Sequence, residues 1–181
     1  HAKETEIGYA VFDQNMHIKA VTLLQLETDL RYALERNELL VYYQPILDLN
    51  SIELIGFEAL MRWRHPQRGI VPPNEFIPVS ETTGLIVPMS LWILRESCER
   101  AVEWQKKYKK NLLISVNLSG KHFAHPDLVE QVQKIIRETG INVKCLKLEI
   151  TESAVMENAE TAIRMLKQLR EIGVQLSIDD F

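Results

Sequence analysis

Two periodicities alternate along the chain. Between about residues 17 and 37, Leu23, Leu26, Leu30, Ala33 and Leu34 recur at spacings of three and four, which predicts a helix with one apolar stripe. Ahead of it, IGYAVFD at residues 7–13 reads as a short edge strand. LLVYYQPILDL and IELIGFEALMRWR then read as two strands with only Asn50-Ser51 between them. So short a connection allows an antiparallel hairpin and not a parallel crossover. A proline-rich stretch follows, through Pro66, Pro72, Pro73, Pro78 and Pro88 and the turn SETTG, and predicts loop with at most short helical turns. SLWILRESCERAVEWQKKY restores a helical face through Leu91, Leu94, Cys98, Ala101 and Tyr108.

Beyond this the pattern becomes regular. LLISVNLS at 112–119 predicts a strand, and PDLVEQVQKIIRETG a helix, with Pro126 suited to its first turn and Gly140 to its stop. KCLKLEIT at 144–151 is the next strand, followed by a helix from about Asn158 to Ile172 that closes at Gly173. VQLSIDD is the last strand. A strand–helix–strand unit of roughly 30 residues implies parallel pairing with right-handed crossovers.

Period-two reading of the strands brings out the chemistry. Leu112, Ile114, Val116 and Leu118 form one face of their strand, against Ser115, Asn117 and Ser119 on the other. Leu146, Leu148 and Ile150 oppose Lys147, Glu149 and Thr151; Val174, Leu176 and Ile178 oppose Ser177 and Asp179. Glu58 and Arg62 share a parity in the earlier strand, with Leu60 between them. Glu58, Asn117, Glu149, Asp179 and Asp180 therefore converge on the C-terminal mouth of a curved parallel sheet, where barrel enzymes keep their sites. Carboxylates crowded in this way need a positive charge among them. Hard oxygen donors without His or Cys favour Mg²⁺ or Mn²⁺ over zinc. Divalent ions beside an arginine suit in-line hydrolysis of a phosphodiester. Taken singly, each residue has a plainer reading: a solvated strand-end Glu, Asn117 as a turn residue, or Glu149 with Glu152 as the acidic start of a helix. The recurrence of acid or amide at four successive strand ends is what favours a site.

Composition narrows the field. The 181 residues are 46% hydrophobic and 25% charged, as in ordinary globular chains. A net charge of −4 gives no broad basic surface for a nucleic acid polymer. No apolar run approaches the ~20 residues that span a bilayer, so no membrane contact is expected of this segment. No secretory signal opens the chain, and Cys98 and Cys145 are isolated, which suits a reducing, cytoplasmic setting. His122-x-x-His125 lacks the further ligands of a metal site and reads as a loop pair. His65 before Pro66 reads as a turn residue and Cys98 as core; Tyr42, Tyr43 and Trp63 could stack a base, but at strand spacing they read as core. The start on His1-Ala2-Lys3 suggests a fragment of a longer chain.

With these residues in view, FEALMRW at 57–63 resembles the signature of EAL domains, which hydrolyse the bacterial messenger cyclic di-GMP to linear pGpG. The likeness continues in order through YYQPI (42–46), PPNEFIPVSETTGLI (72–86), SVNLS (115–119), LEITES (148–153) and IDDF (178–181), and covers residues 24–181. It implies an α/β fold, a TIM-like barrel with one antiparallel strand, here incomplete at about its first five strands. It also implies that Glu58, Asn117, Glu149 and Asp179 ligate one Mg²⁺ or Mn²⁺ and that Asp180 reaches a second. Gln44 would contact a guanine, Arg62 a phosphate, Leu60 would lie beside the substrate, and Glu152 would steady the loop after the last Asp. A homodimer through this domain is implied for the parent protein. Residues 1–23 resemble, more loosely, the tail and linker of a GGDEF domain, as in GGDEF–EAL tandems. A complete EAL domain continues beyond the Asp-Asp pair, with a further Lys and Glu, so residues 1–181 alone are expected to be unstable and inactive. The competing function is a degenerate EAL module that binds the nucleotide or a protein without hydrolysis. Some other Mg²⁺-dependent barrel is a third.

Overall fold

The computed structural model describes residues 14–157 and 159–179. The strand expected at 7–13, and Asp180 at the other end, lie outside them. Helix α1 (Gln14–Ala33) buries Leu26, Leu30 and Ala33 and leaves Leu23 and Leu24 exposed, so the apolar stripe is narrower than its sequence pattern.

Strands β1 (Leu39–Leu47) and β2 (Leu54–His65) pair antiparallel, in register from Leu39 opposite Trp63 to Ile46 opposite Gly56, with a one-residue shift before Leu47 opposite Leu54. The hairpin is as expected, but its connection runs over 48–53 rather than two residues. Asp48 folds it back by accepting hydrogen bonds from the backbone N–H groups of Asn50 (3.0 Å) and Ser51 (2.9 Å).

The proline-rich stretch departs from the sequence reading. A short strand β3 (Gly69–Val71) pairs with the end of β2, and the helix α2 (Pro73–Thr83) follows; the helix expected over residues 90–108 is α3 (Ile86–Tyr108), which begins four residues earlier. Pro73 is the first residue of α2 and Pro88 the third of α3. A helix leaves the N–H groups of its first turn unpaired, so proline costs little there and even fixes the entry. Gly84, at φ 80°, ends α2 in the left-handed conformation that glycine adopts without strain.

Next come β4 (Leu113–Leu118), α4 (Gly120–Phe123), α5 (Leu128–Thr139), β5 (Leu146–Thr151), α6 (Glu152–Glu157), α7 (Ala159–Ile172) and β6 (Gln175–Asp179). The strand order is β1-β2-β4-β5-β6, with β2, β4, β5 and β6 mutually parallel and β3 attached to β2. This is the α/β, TIM-like arrangement of about five barrel strands with one antiparallel member. The short helix α6 begins at Glu152, ahead of the helix expected from about Asn158.

One face of the sheet lies under the helices. Ala59, Trp63, Ile114, Val116, Leu118, Leu146, Leu148 and Ile150 are buried there with Leu94, Cys98, Val132 and Leu169. His65 belongs to the same face and is 3% exposed, not a surface turn residue. Its Nε2 lies 3.1 Å from Asp29 Oδ2 on α1, and its Nδ1 accepts from the backbone N–H of Gln67 at 3.1 Å. Trp63 Nε1 donates to Glu38 Oε2 at 3.0 Å, so α1 and its exit are tied to the far end of β2. His122 is buried beside Gln131 (3.3 Å), and burial lowers its pKa, whereas His125 is partly exposed; they do not form a metal pair.

Candidate active site

The opposite face of the sheet carries the polar residues, and strand register fixes which of them are neighbours. On β1, Gln44 stands opposite Glu58, Tyr42 opposite Leu60 and Leu40 opposite Arg62. Glu58 is level with Ser115 on β4, and Ser115 with Lys147 on β5. One layer up, Asn117 is level with Glu149, and Glu149 with Ser177 on β6. Thr151 and Asp179 form the layer at the mouth. Directly paired residues share a face, so the parity inferred from sequence is the parity of the fold.

Contacts within this face are specific. The Asn117 carboxamide donates to Glu58 Oε1 at 2.8 Å, linking β4 to β2. The Lys147 ammonium donates to Glu149 Oε1 at 2.7 Å. Asp179 is exposed at the end of β6, and Glu152 is exposed as the first residue of α6, where the helix dipole favours an acid. Gln44 is exposed and Leu60 half-buried. Among the described residues, no three acidic, His or Cys side chains stand close enough together to hold a metal ion. Glu58 and Glu149 are instead turned to Asn117 and Lys147. The donor set itself is carboxylate and carboxamide oxygen throughout, which fits a hard divalent cation.

Arg62 lies two inward positions beyond Glu58, roughly 13 Å along the strand at ~3.3 Å per residue. Its guanidinium donates to the Met61 carbonyl at 2.8 Å and sits 5.5 Å from the centre of the Tyr42 ring. It therefore flanks the acids and is not neutralised by them. A cleft of about 250 Å³ opens where the strand ends meet α2 and α3, lined by Leu60, Arg62, Ile77, Glu81, Asn117 and Thr151 among others. Leu60 and Arg62 thus share a cavity with Asn117.

Three features escaped the sequence reading. Tyr42 faces the site and carries Arg62 on its ring; its even-numbered parity with Gln44 was the available signal. Lys147 pairs with a site carboxylate, and Ser115 lies buried between Glu58 and Lys147 with its hydroxyl unpaired. Both residues stood on the polar parity, but a strand pattern does not say where a side chain leans.

A sheet of parallel strands under helices, with acids and an amide on its polar face and an arginine beside them, is the site arrangement of an incomplete α/β barrel. The chain belongs to the EAL domain family, whose pattern matches residues 27–181. It is 42% identical over 182 residues to the bifunctional diguanylate cyclase/cyclic di-GMP phosphodiesterase MucR of Pseudomonas aeruginosa, covering 100% of this chain and 27% of that protein. The cyclic di-GMP phosphodiesterase PdeR of Escherichia coli is 34% identical over 181 residues, which is 99% of this chain and 27% of PdeR. The chain thus spans about a quarter of the length of these relatives. Among solved structures, the MucR phosphodiesterase in complex with c-di-GMP superposes with a TM-score of 0.84 at 43% identity, over 87% of this chain and 64% of that one. The EAL enzyme Bd1971, bound to cAMP and cyclic di-GMP, gives 0.82 at 33% identity, over 90% and 45%.

Proposed function

We propose that this chain is part of a metal-dependent phosphodiesterase that hydrolyses cyclic di-GMP to linear pGpG. The observation that carries the reading is the single polar face on which Glu58, Asn117, Glu149 and Asp179 lie on adjoining parallel strands, stepping up layer by layer toward the mouth, beside the Arg62 cleft. Relatives at 42% and 34% identity bear cyclic di-GMP phosphodiesterase names, which supports the same substrate here. Residues 24–181 form the N-terminal part of the EAL domain, and residues 1–23 the tail and linker of a GGDEF-like domain.

Glu58, Asn117, Glu149 and Asp179 would hold one Mg²⁺ or Mn²⁺, and Asp180 would reach a second. When bound, such ions neutralise phosphodiester oxygens and acidify the attacking water. The protein's own share is positional. Arg62, held by the Met61 carbonyl and the Tyr42 ring, presents its remaining N–H groups to a phosphate. Leu60 gives an apolar wall between phosphate and metal ligands, and Gln44 on β1 offers an amide to a guanine edge. Asn117 fixes the Glu58 carboxylate across the β2–β4 junction. Glu152 steadies the loop after the last Asp. The domain works in the cytoplasm and dimerises in the parent protein.

A binding module without catalysis has little use for all five donors, Glu58, Asn117, Glu149, Asp179 and Asp180, and hydrolysis is the better account. The test is Glu58→Ala in the complete parent domain, with pGpG release followed in Mg²⁺ or Mn²⁺ alongside a thermal melt. Turnover should fall by orders of magnitude while the cooperative melt is kept. Wild-type turnover in the mutant removes the metal site from the mechanism.

A further inference from the structure

The acids of the site raise a question that the proposed function leaves unanswered: what balances their charge when no divalent ion is bound? Arg62 does not, because its guanidinium is turned to the Met61 carbonyl and the Tyr42 ring. Asn117 offers Glu58 a hydrogen bond but no charge. Among the described residues, the cation in contact with a carboxylate of this face is Lys147, whose Nζ is 2.7 Å from Glu149 Oε1. The pair is sheltered, with the Lys147 side chain 27% exposed and that of Glu149 12%. Such partial burial strengthens an ion pair beyond the value of an exposed one.

Register adds a second observation. Lys147 lies one layer below Glu149, level with Ser115, which is itself level with Glu58. The Ser115 hydroxyl is fully buried and has no partner, so the ammonium passes it by and extends up the strand to the carboxylate. A lysine head is a mobile point charge on four methylenes and can hold or release such a contact without moving the backbone.

We propose that Lys147 is the resident counter-cation of the site: it occupies Glu149 in the ion-free protein and competes with the divalent ion for that carboxylate. The inference rests on the metal-dependent reading given above. An ion bound to Glu149 at the ~2.1 Å ligand distance of Mg²⁺ would stand next to the ammonium and repel it. Uptake of the ion therefore requires the Lys147 head to swing away. Lys147 thereby sets the ion concentration at which the site fills, and it protects the empty site from the mutual repulsion of its acids.

The opposite role is that Lys147 merely orients Glu149 for the ion, and the two differ in sign. Calorimetric titration of the complete parent domain with Mn²⁺ alone, without nucleotide, separates them. Competition predicts that Lys147→Met binds Mn²⁺ about tenfold more tightly, because a repelling charge is gone, and that Lys147→Arg binds it more weakly, because a guanidinium grips the carboxylate with two N–H groups. In chelator, Lys147→Met should melt below wild type, and Glu149→Gln added to it should recover part of the loss. Lys147→Gln serves as a second neutral variant if Lys147→Met folds poorly. Equal or weaker Mn²⁺ binding in the neutral variants overturns the competition and leaves the phosphodiesterase reading standing. Wild type that takes up no Mn²⁺, or whose uptake ignores Glu149→Gln, overturns both.

Discussion

Arg62 illustrates how one side chain is prepared for a ligand by contacts that leave its charge unspent. A carbonyl and an aromatic face fix the guanidinium without neutralising it, since both are uncharged. If it meets a phosphate of cyclic di-GMP, Arg62→Ala should weaken binding by about 1.5–3 kcal/mol, the range for a hydrogen bond to a charged group. Arg62→Lys should restore only part of this, because an ammonium cannot present the planar fork and sits less well on Tyr42. Titration of the nucleotide in chelator, where no turnover consumes it, reads the difference; unchanged affinity in the alanine variant removes Arg62 from the phosphate site. At this scale parity along the strands was enough to bring Glu58, Asn117, Glu149 and Asp179 to one face, since side-chain alternation is a property of any strand. The Lys147–Glu149 and Arg62–Tyr42 pairings were not legible, because they depend on which way a long side chain leans between layers.

At the scale of elements, the parallel contact of β2 with β4 is the joint that aligns Glu58 with the later strands. Gly56 stands level with Leu113 there, and a Cβ built on it would lie 2.3 Å from the Leu113 carbonyl oxygen and 2.6 Å from the Leu113 Cβ. The obstacle is backbone, which cannot rotate out of the way as a side-chain tip can. Gly56→Ala should therefore part the two strands at their start and destabilise the domain by about 1–3 kcal/mol, the usual cost of overpacking. A denaturant titration measures it; a stability equal to wild type means that the strands yield at no cost. Elements built on long repeats, such as β4, α5, β5 and α7, were legible because their apolar periods are unbroken. Helix α2 and the first turn of α3 are not legible in the sequence, because Pro73, Pro78 and Pro88 read as helix breakers. Proline breaks a helix only where an N–H is needed, and two of these three fall in a first turn. His65 was misread for a related reason: its neighbour Pro66 suggested a turn, while its parity with Met61 and Trp63 already placed it in the buried face.

For the whole molecule, the sheet ends among the described residues on β6, and the last layer is thinly covered. Ile178 is 39% exposed and Ile163 on α7 is 51% exposed. Together with Leu166, Val174 and Leu176 they line a groove of about 780 Å³ between α7 and β6. The match takes in 64% of the MucR phosphodiesterase structure, which therefore has residues beyond the matched ones. An edge strand with an apolar flank and unpaired backbone groups is a template for association. Residues 1–181 produced alone should accordingly self-associate and show no metal-dependent cleavage of cyclic di-GMP, whereas the full domain should be dispersed and active. The association should run through the groove, so Ile163→Lys together with Ile178→Lys should lower the apparent mass of the 181-residue chain without restoring activity. Light scattering coupled to size-exclusion chromatography, with a turnover assay on the same fractions, tests both halves. A 181-residue chain that is monomeric, melts cooperatively and turns over substrate would mean that β6 needs no neighbour and that the strands described here already complete the site.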